Sequence, residues 1–532
     1  MKSVATILLI LIFIFIPSIH LTAQAAGDYQ TKASGNWSDN TIWQIYNGSA
    51  WQNIGAPPSG SEVITVLGTD SVFVGSAVSV TGTLVQQGII EPVDSLTLTI
   101  ADGGTLQYDR NEGTLPKCIW AEGSTLLITG VTDTAPEDRD QDYYNIIFNT
   151  PNLLSNLNMN LNNNVIGGDI TVINTGYSRW YLTTALATDT SIVTIMGDVN
   201  VEKAEDVDNS NFSVQGTSNA QTTFIIHHYG NVNITGGNFS ISRGSQGGGT
   251  TTWYMHNGDF SMSNAATQNS TALQGGARFV FDSQGTQILT LGEGNDLKAL
   301  PIEVRDGTTL DMGSSIIAGS GIFEVDSGAT IMTSLQGGVS EIFSGLTGEE
   351  IAAQVTLKSG AGFGFNGTTA QVTSSLMPDT VGTLIINNEA GVTLSNETHI
   401  LGVLRLIAGA FDNTVPFTLG PNGSISYEGG SLVMTSIPSK EEVLPTTFFV
   451  GQNYPNPFNP STTIKFGLPS ESDVSIKVFN ILGKEVATLY KGRMSAGEKE
   501  LNFDGSILPS GTYFYQIQAD ENTGIRKMLL IK

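Results

Sequence analysis

Four groups of side chains have the types and spacing that chemistry requires. Asp133, Glu137, Asp138, Asp140 and Asp142 fall within ten residues. That much carboxylate oxygen suits Ca²⁺, which takes six to eight oxygen ligands. The spacing lacks the glycine and closing glutamate of a helix-loop-helix calcium loop, so the segment reads as a solvated acidic loop. His227 and His228 are metal-ligand types, but neighbours on a strand point to opposite faces and cannot both grip one ion. His256 and His399 show no ligand-like spacing, so no metal and no other cofactor is expected. Cys118, the single cysteine, has no intrachain disulfide partner. It sits beside Ile119 and Trp120 and reads as a buried, inert thiol. Trp37, Trp43, Tyr46 and Trp51 cluster near one end of the chain. Trp37, Trp43 and Trp51 are candidates for stacking on glycan rings, although burial as an end cap is the favoured reading.

Catalysis asks for more than these groups supply. A polysaccharide lyase or hydrolase needs paired carboxylates across a cleft, or a Ca²⁺-assisted basic residue acting on uronic acids. Of 23 Lys and Arg against 49 Asp and Glu, 9 and 8 respectively lie after residue 444, leaving 14 basic against 41 acidic before it. A groove for acidic sugars is hard to build from so few cations, and nucleic acid is excluded as a partner because phosphate binding needs clustered Lys and Arg. The sequence has no Gly-x-Ser-x-Gly elbow, no His-Glu-x-x-His helix and no Asn-x-Asp, Asp-Asp and Gly-His-Gly series of the polygalacturonase type. No catalytic residue is assigned. A non-catalytic structural stalk or adhesin-like protein is expected, the alternative being a β-helix polysaccharide-degrading enzyme or a carbohydrate-binding protein.

The elements that would position these residues repeat. Gly168-Asp169-Ile170-Thr171-Val172 is echoed at Gly197-Asp198-Val199, Gly230-Asn231-Val232, Gly237-Asn238-Phe239 and Gly258-Asp259-Phe260. Looser copies occur at Asp102-Gly103, Glu122-Gly123, Asp306-Gly307, Ser327-Gly328 and Ala390-Gly391. A glycine and a short polar residue turn the chain, then apolar residues alternate with Ser, Thr or Asn. Each unit is too small to bury its own apolar face and must stack on its neighbours. Repeats of this length without helical periodicity predict an all-β right-handed parallel β-helix. The chain's 61 Gly would supply positive φ at corners. The uneven spacing, with one gap of only 7 residues, leaves a stacked β-sandwich array as the rival.

The two ends differ from the middle. After Lys2 an apolar run from Ile7 to Ile16 stops at Pro17 and leads to Ala23-Gln24-Ala25, the pattern of a cleaved signal peptide over 1–25. No later stretch is long and apolar enough for a transmembrane helix. Residues 26–60 read as an aromatic cap, 61–438 as the β-helix and 439–448 as a linker. Residues 449–532 hold short alternating runs separated by turn signals, the mark of a small C-terminal immunoglobulin-like β-sandwich.

This tail resembles the type A C-terminal sorting domain of the type IX secretion system found in Bacteroidetes and their relatives. The resemblance rests on Tyr454-Pro455-Asn456-Pro457-Phe458, on Val478-Phe479-Asn480-Ile481-Leu482-Gly483-Lys484-Glu485-Val486, on Ala496-Gly497 and on Leu508-Pro509-Ser510-Gly511-Thr512-Tyr513, with Lys527 in the last strand. It implies recognition by the outer-membrane translocon and its sorting peptidase after periplasmic export. Attachment to surface lipopolysaccharide or release follows, with glycans as possible contacts. The middle is similar in texture to β-helical passengers that often precede this domain. The start faintly resembles an eight-glycine extracellular domain found before some β-helices, from which no binding residue is carried over.

Overall fold

In the computed structural model the described residues are 24–532, apart from 96, 184–189, 204–210, 215–222, 242–249, 264–265, 268–276, 434–438 and 441–444. Most of the signal-peptide reading and part of the linker therefore lie outside the described residues. The chain divides into two units, one of residues up to 397 with 404–415 and 426–435, the other of 398–403, 416–425 and 436–532.

The first unit is a parallel β-helix. One wall is a sheet of 19 strands, in which Val63–Val66, Thr83–Gln86, Thr105–Tyr108, Thr125–Ile128, Asn145–Asn149, Ile170–Asn174, Val199–Val201, Val232–Ile234 and Phe260–Met262 pair in parallel, each with the next. A second wall stacks Trp180–Tyr181, Asn211–Ser213 and Asn238–Ser240, and a third Thr190–Ile195, Thr223–His228, Thr251–Met255 and Arg278–Phe281. These in-register parallel strands remove the rival array of antiparallel sandwiches. They also account for the 7-residue gap, because Gly230-Asn231 and Gly237-Asn238 open two different walls of one coil.

Register alignment makes columns. Ile64, Leu84, Leu106, Leu126, Ile146, Ile170, Val199, Val232, Phe260 and Leu289 stand in line and are buried. At Thr286–Leu291 the column steps two residues, since Leu310 pairs with Gln287 rather than Leu289. Between the Thr330–Thr333 and Val355–Leu357 strands lie two short helices that the strand-only reading did not foresee. The second, Gly348–Gln354, starts with a capping box of Thr347 and Glu350.

The Gly-Asp repeat has a definite mechanical role. Through five successive steps a backbone N–H donates to a side-chain oxygen one coil earlier. The series runs Asp169 to Asn145 (2.8 Å), Asp198 to Asp169 (2.7 Å), Asn231 to Asp198 (2.7 Å), Asp259 to Asn231 (2.8 Å) and Ile288 to Asp259 (2.8 Å). Successive turns stack so closely that a Cβ on Gly230 would lie 2.1 Å from the Gly197 carbonyl oxygen. Positive φ, the expected reason for these glycines, holds at Gly258 and in looser copies such as Gly103 and Gly123. At Gly197 and Gly230 the requirement is this close approach instead.

The core also takes in polar groups. His228 is fully buried, its Nε2 2.8 Å from the Gly197 carbonyl and its ring edge-on to Trp253. Burial lowers its pKa to about 4.

Within the second unit, residues 449–532 carry seven strands in two antiparallel sheets. Phe449–Val450, Ser461–Leu468 and Gly497–Asp504 form one, and Ser472–Asn480, Glu485–Met494, Gly511–Ala519 and Asn522–Leu530 the other. Alternate residues such as Ile464, Phe466, Val474, Ile476, Tyr515 and Ile517 meet in one core between them, so the tail is a β-sandwich.

Two outcomes follow for the solenoid. Asp198→Ala leaves the Asn231 N–H without its acceptor and should cost about 1–3 kcal/mol in chemical denaturation. Asp198→Asn keeps an oxygen there and should cost much less. For His228 the folded pKa lies below the unfolded value of 6.5, so between about pH 6.5 and 4 the unfolded chain binds the proton and the folded chain does not. Stability therefore drops as pH falls through that window. Thermal unfolding from pH 7 to 4.5 should show a shallower loss in His228→Leu, and identical slopes would contradict the assignment.

Candidate functional site

The sequence-predicted groups are mostly spent on structure. Among the acidic loop residues, Asp133 accepts from Asn111 and Thr134, Asp138 pairs with Lys117 at 3.2 Å, and Asp142 accepts from Asn164 and from the Val165 N–H. Among the described residues no three His, Cys, Asp or Glu side chains gather as a metal-binding group. Cys118 is half-buried, and burial raises its thiol well above the ordinary range, so it is poorly placed to act as a nucleophile.

Trp43 is fully buried and Trp37 nearly so (4% exposed), edge-on to each other at 5.2 Å, with Trp43 Nε1 donating to the Trp37 carbonyl. Glycan stacking by Trp37 and Trp43 is thereby withdrawn, because neither ring face meets solvent. Trp51 is half-buried against Tyr46, on a hairpin whose Tyr29–Thr31 strand pairs in parallel with Val63–Val66.

Side-chain groups that the linear sequence kept apart meet on the outward face of the third wall. His227 points out where His228 points in. His227 Nδ1 lies 2.8 Å from His256 Nε2, and His256 Nδ1 lies 3.6 Å from Asp282 Oδ2. Tyr229 leans on His256, and Tyr254 lies beside both imidazoles. Burial and the neighbouring His256 lower the His227 pKa, with Asp282 opposing. Further along, Glu303 bridges Arg278 (2.9 Å) and Arg305 (2.8 Å), and Arg305 lies over the Tyr254 ring at 4.9 Å. The 29 residues from His227 to His256 equal about one coil, as do the 28 from Gly230 to Gly258. That period is the signal that could have joined the two histidines.

A cavity of about 440 Å³ opens elsewhere in the first unit, lined among others by Ile89, Glu91, Val93, Leu115 and Lys117. Arg110, also in its lining, donates to the Gly88 and Glu112 carbonyls and so is committed to holding backbone.

In the tail the sequence motif folds down onto the last strand. The Gln452 side-chain amide donates to the Lys527 carbonyl (2.7 Å), and the Leu529 N–H donates to Asn456 Oδ1 (2.8 Å). The Phe458 N–H donates to the Leu529 carbonyl, and the Ile531 N–H to that of Phe458. The Phe458 ring is buried 5.9 Å from Phe503, while Tyr454 is 81% exposed. The Tyr454–Pro455 and Asn456–Pro457 bonds are cis.

Gly483 takes φ 74° in the turn where Asn480 Oδ1 accepts the N–H groups of Leu482 and Lys484. Gly497 and Gly511 each begin a strand, and the Tyr513 hydroxyl donates to the Pro509 carbonyl. Asn480 pairs with Tyr513 and Gly511 with Leu530, so the 481–484 turn, the 505–510 loop and the C-terminal residues share one end of the sandwich. Exposed Ile481, Leu482 and Ile507 lie there.

No described helix is long and apolar enough to cross a membrane. No curated protein and no solved structure matches the chain. The secretion system C-terminal sorting domain family matches residues 452–532, the stretch that forms the two-sheet sandwich with its opening motif pinned to its last strand. That match gives the chain a type IX secretion sorting domain in residues 452–532, which indicates export to the cell surface or the extracellular space.

Proposed function

We propose that the chain is a non-catalytic surface protein, a β-helical stalk of adhesin-like character. In this reading residues 1–25 direct export and are removed, 26–60 seal the first coil, 61–438 form the stalk, 439–448 link and 449–532 sort. The observation that carries it is the columnar stack, whose interior is filled with apolar side chains coil after coil. Such a stack behaves as a rigid rod held by nearest-neighbour contacts. Glu303 supports the non-catalytic reading, since both its oxygens are held by arginines and neither is free to take a substrate proton. The outer-membrane translocon and the sorting peptidase are the partners in delivery, followed by attachment to surface lipopolysaccharide or release.

Fractionation of the native host separates the outcomes. The full chain should reach the surface or medium trimmed near residue 445, and a chain lacking 445–532 should stay in the periplasm. Phe458→Ala removes a buried ring from the sandwich core, at a cost of about 3–5 kcal/mol, and should lower export in the same assay. Equal export of all three would return the tail to a structural or binding role.

A further inference from the structure

Near the start of the solenoid one wall skips a junction. Gly35–Asn36, Ser71–Val74 and Ile89–Pro92 form a three-stranded parallel sheet, with Ile89–Pro92 as its outer strand. One coil later the chain at 109–117 passes the place of the next strand without pairing there. Glu112 and Gly113 take φ of 54° and 90°, which turns the chain out of line, and Pro116 has no N–H to give. Pairing resumes at the following junction, where the Leu115 N–H donates to the Glu137 carbonyl (3.0 Å) and the Glu137 N–H to that of Gly113 (2.7 Å). The cavity of about 440 Å³ opens in the gap, with Ile89 to Val93 on one side and Gly113 to Lys117 on the other.

The strand turns unused backbone groups toward that gap. The Ile89 and Val93 N–H groups donate away from it, to the Asp70 and Val74 carbonyls (2.9 and 3.1 Å). Backbone groups alternate sides along a strand, so the N–H and C=O of Ile90 and the C=O of Pro92 face the cavity. The carbonyl of Gly88, in the same phase, is taken by the Arg110 guanidinium from the coil across the gap. Ile90 has no such partner among the described residues, although it is only 3% exposed. A sheet edge in this state is a template for another chain.

The side chains say what kind of chain fits. Ile89 and Val93 are 41% and 71% exposed on the outward face, beside Glu91 and its register partner Phe73. The basic groups of the lining are spent, Arg110 on backbone carbonyls and Lys117 on Asp138, which leaves Glu91 as uncompensated charge. The cavity volume lies in the range that takes a small ligand, and three residues of strand span about 10 Å. We propose that the Ile89–Pro92 edge is a strand-addition site for a short extended segment of a partner protein, apolar opposite Ile90 and basic opposite Glu91. An added strand keeps the phase of its neighbour, so its residue opposite Ile90 points inward toward buried Leu115 while the flanking residues meet Ile89 and Glu91 outside. The site is independent of the stalk reading.

Purified exported chain panned against a displayed library of random heptapeptides tests this. Enriched peptides should alternate apolar residues with Lys or Arg, bind at micromolar concentration and slow hydrogen exchange at the Ile90 amide. Methylating alternate backbone amides of a bound peptide should abolish binding in one phase and spare it in the other. Glu91→Lys, at an exposed position, should weaken binding about tenfold or more with unchanged far-ultraviolet circular dichroism. If nothing is enriched at micromolar concentration, or the bound peptides leave the Ile90 amide exchanging as in the free chain, the edge is only solvated and the proposal fails.

Discussion

From Asn145 to Ile288 the β-helix depends on one recurring bond, from a backbone N–H near the head of a coil to a carboxylate or amide oxygen one coil earlier. A strand ladder satisfies N–H groups along the walls, but the chain must leave the ladder at each corner, where a donor needs another acceptor. Asn145, Asp169, Asp198, Asn231 and Asp259 each supply the missing acceptor. The arrangement brings carboxylates near one another. Burial raises the Asp169 carboxyl above the usual range, and the charge of Asp198 adds to this, against the pull of the Asp198 N–H. Asn231 supplies a neutral acceptor between Asp198 and Asp259 and so keeps those two carboxylates from being neighbours in the series.

Once corners are fixed, register follows, and register makes columns on both sides of each wall. Inward, the column from Ile64 to Leu289 builds the core. Outward, the same rule sets unlike chemistry side by side. His227 pairs in register with Tyr254, while His256 and Asp282 extend the neighbouring column. Glu303 stands between arginines from its own and the preceding coil. A solenoid therefore concentrates rare charged residues onto a strip without a cleft or a loop to gather them.

What could be read from the sequence followed the range of the physics involved. Turn-and-alternation patterns are local, so the Gly-Asp units and the alternating runs of the tail were legible, the strands themselves reaching lengths such as that of Glu485–Met494. The two-wall origin of the 7-residue gap was not legible, because wall identity depends on what each strand stacks against. Thr347 with Glu350 is a local helix-start signal that the strand pattern around it obscured. The opposite faces of His227 and His228 were readable from strand geometry, but the meeting of His227 with His256 depends on coil length, a tertiary quantity. The tryptophans were clear as a cluster, while the burial of Trp37 and Trp43 is set by the hairpin around them.

The tail applies the same economy of backbone bonding to a different end. Its opening nine residues, Gln452 to Pro460, carry three prolines, Pro455, Pro457 and Pro460, which give no N–H to a ladder. The segment is held instead through side chains and the few amides that remain. Gln452 and Asn456 reach the backbone of Lys527 and Leu529, Phe458 exchanges bonds with Leu529 and Ile531, and Asn453 turns inward to Thr462. The motif's shape is therefore a property of the closed sandwich and not of the nine residues that spell it. Removing the last strand takes away the carbonyls that hold Gln452 and Phe458, so a receptor that reads this motif reads a completed fold.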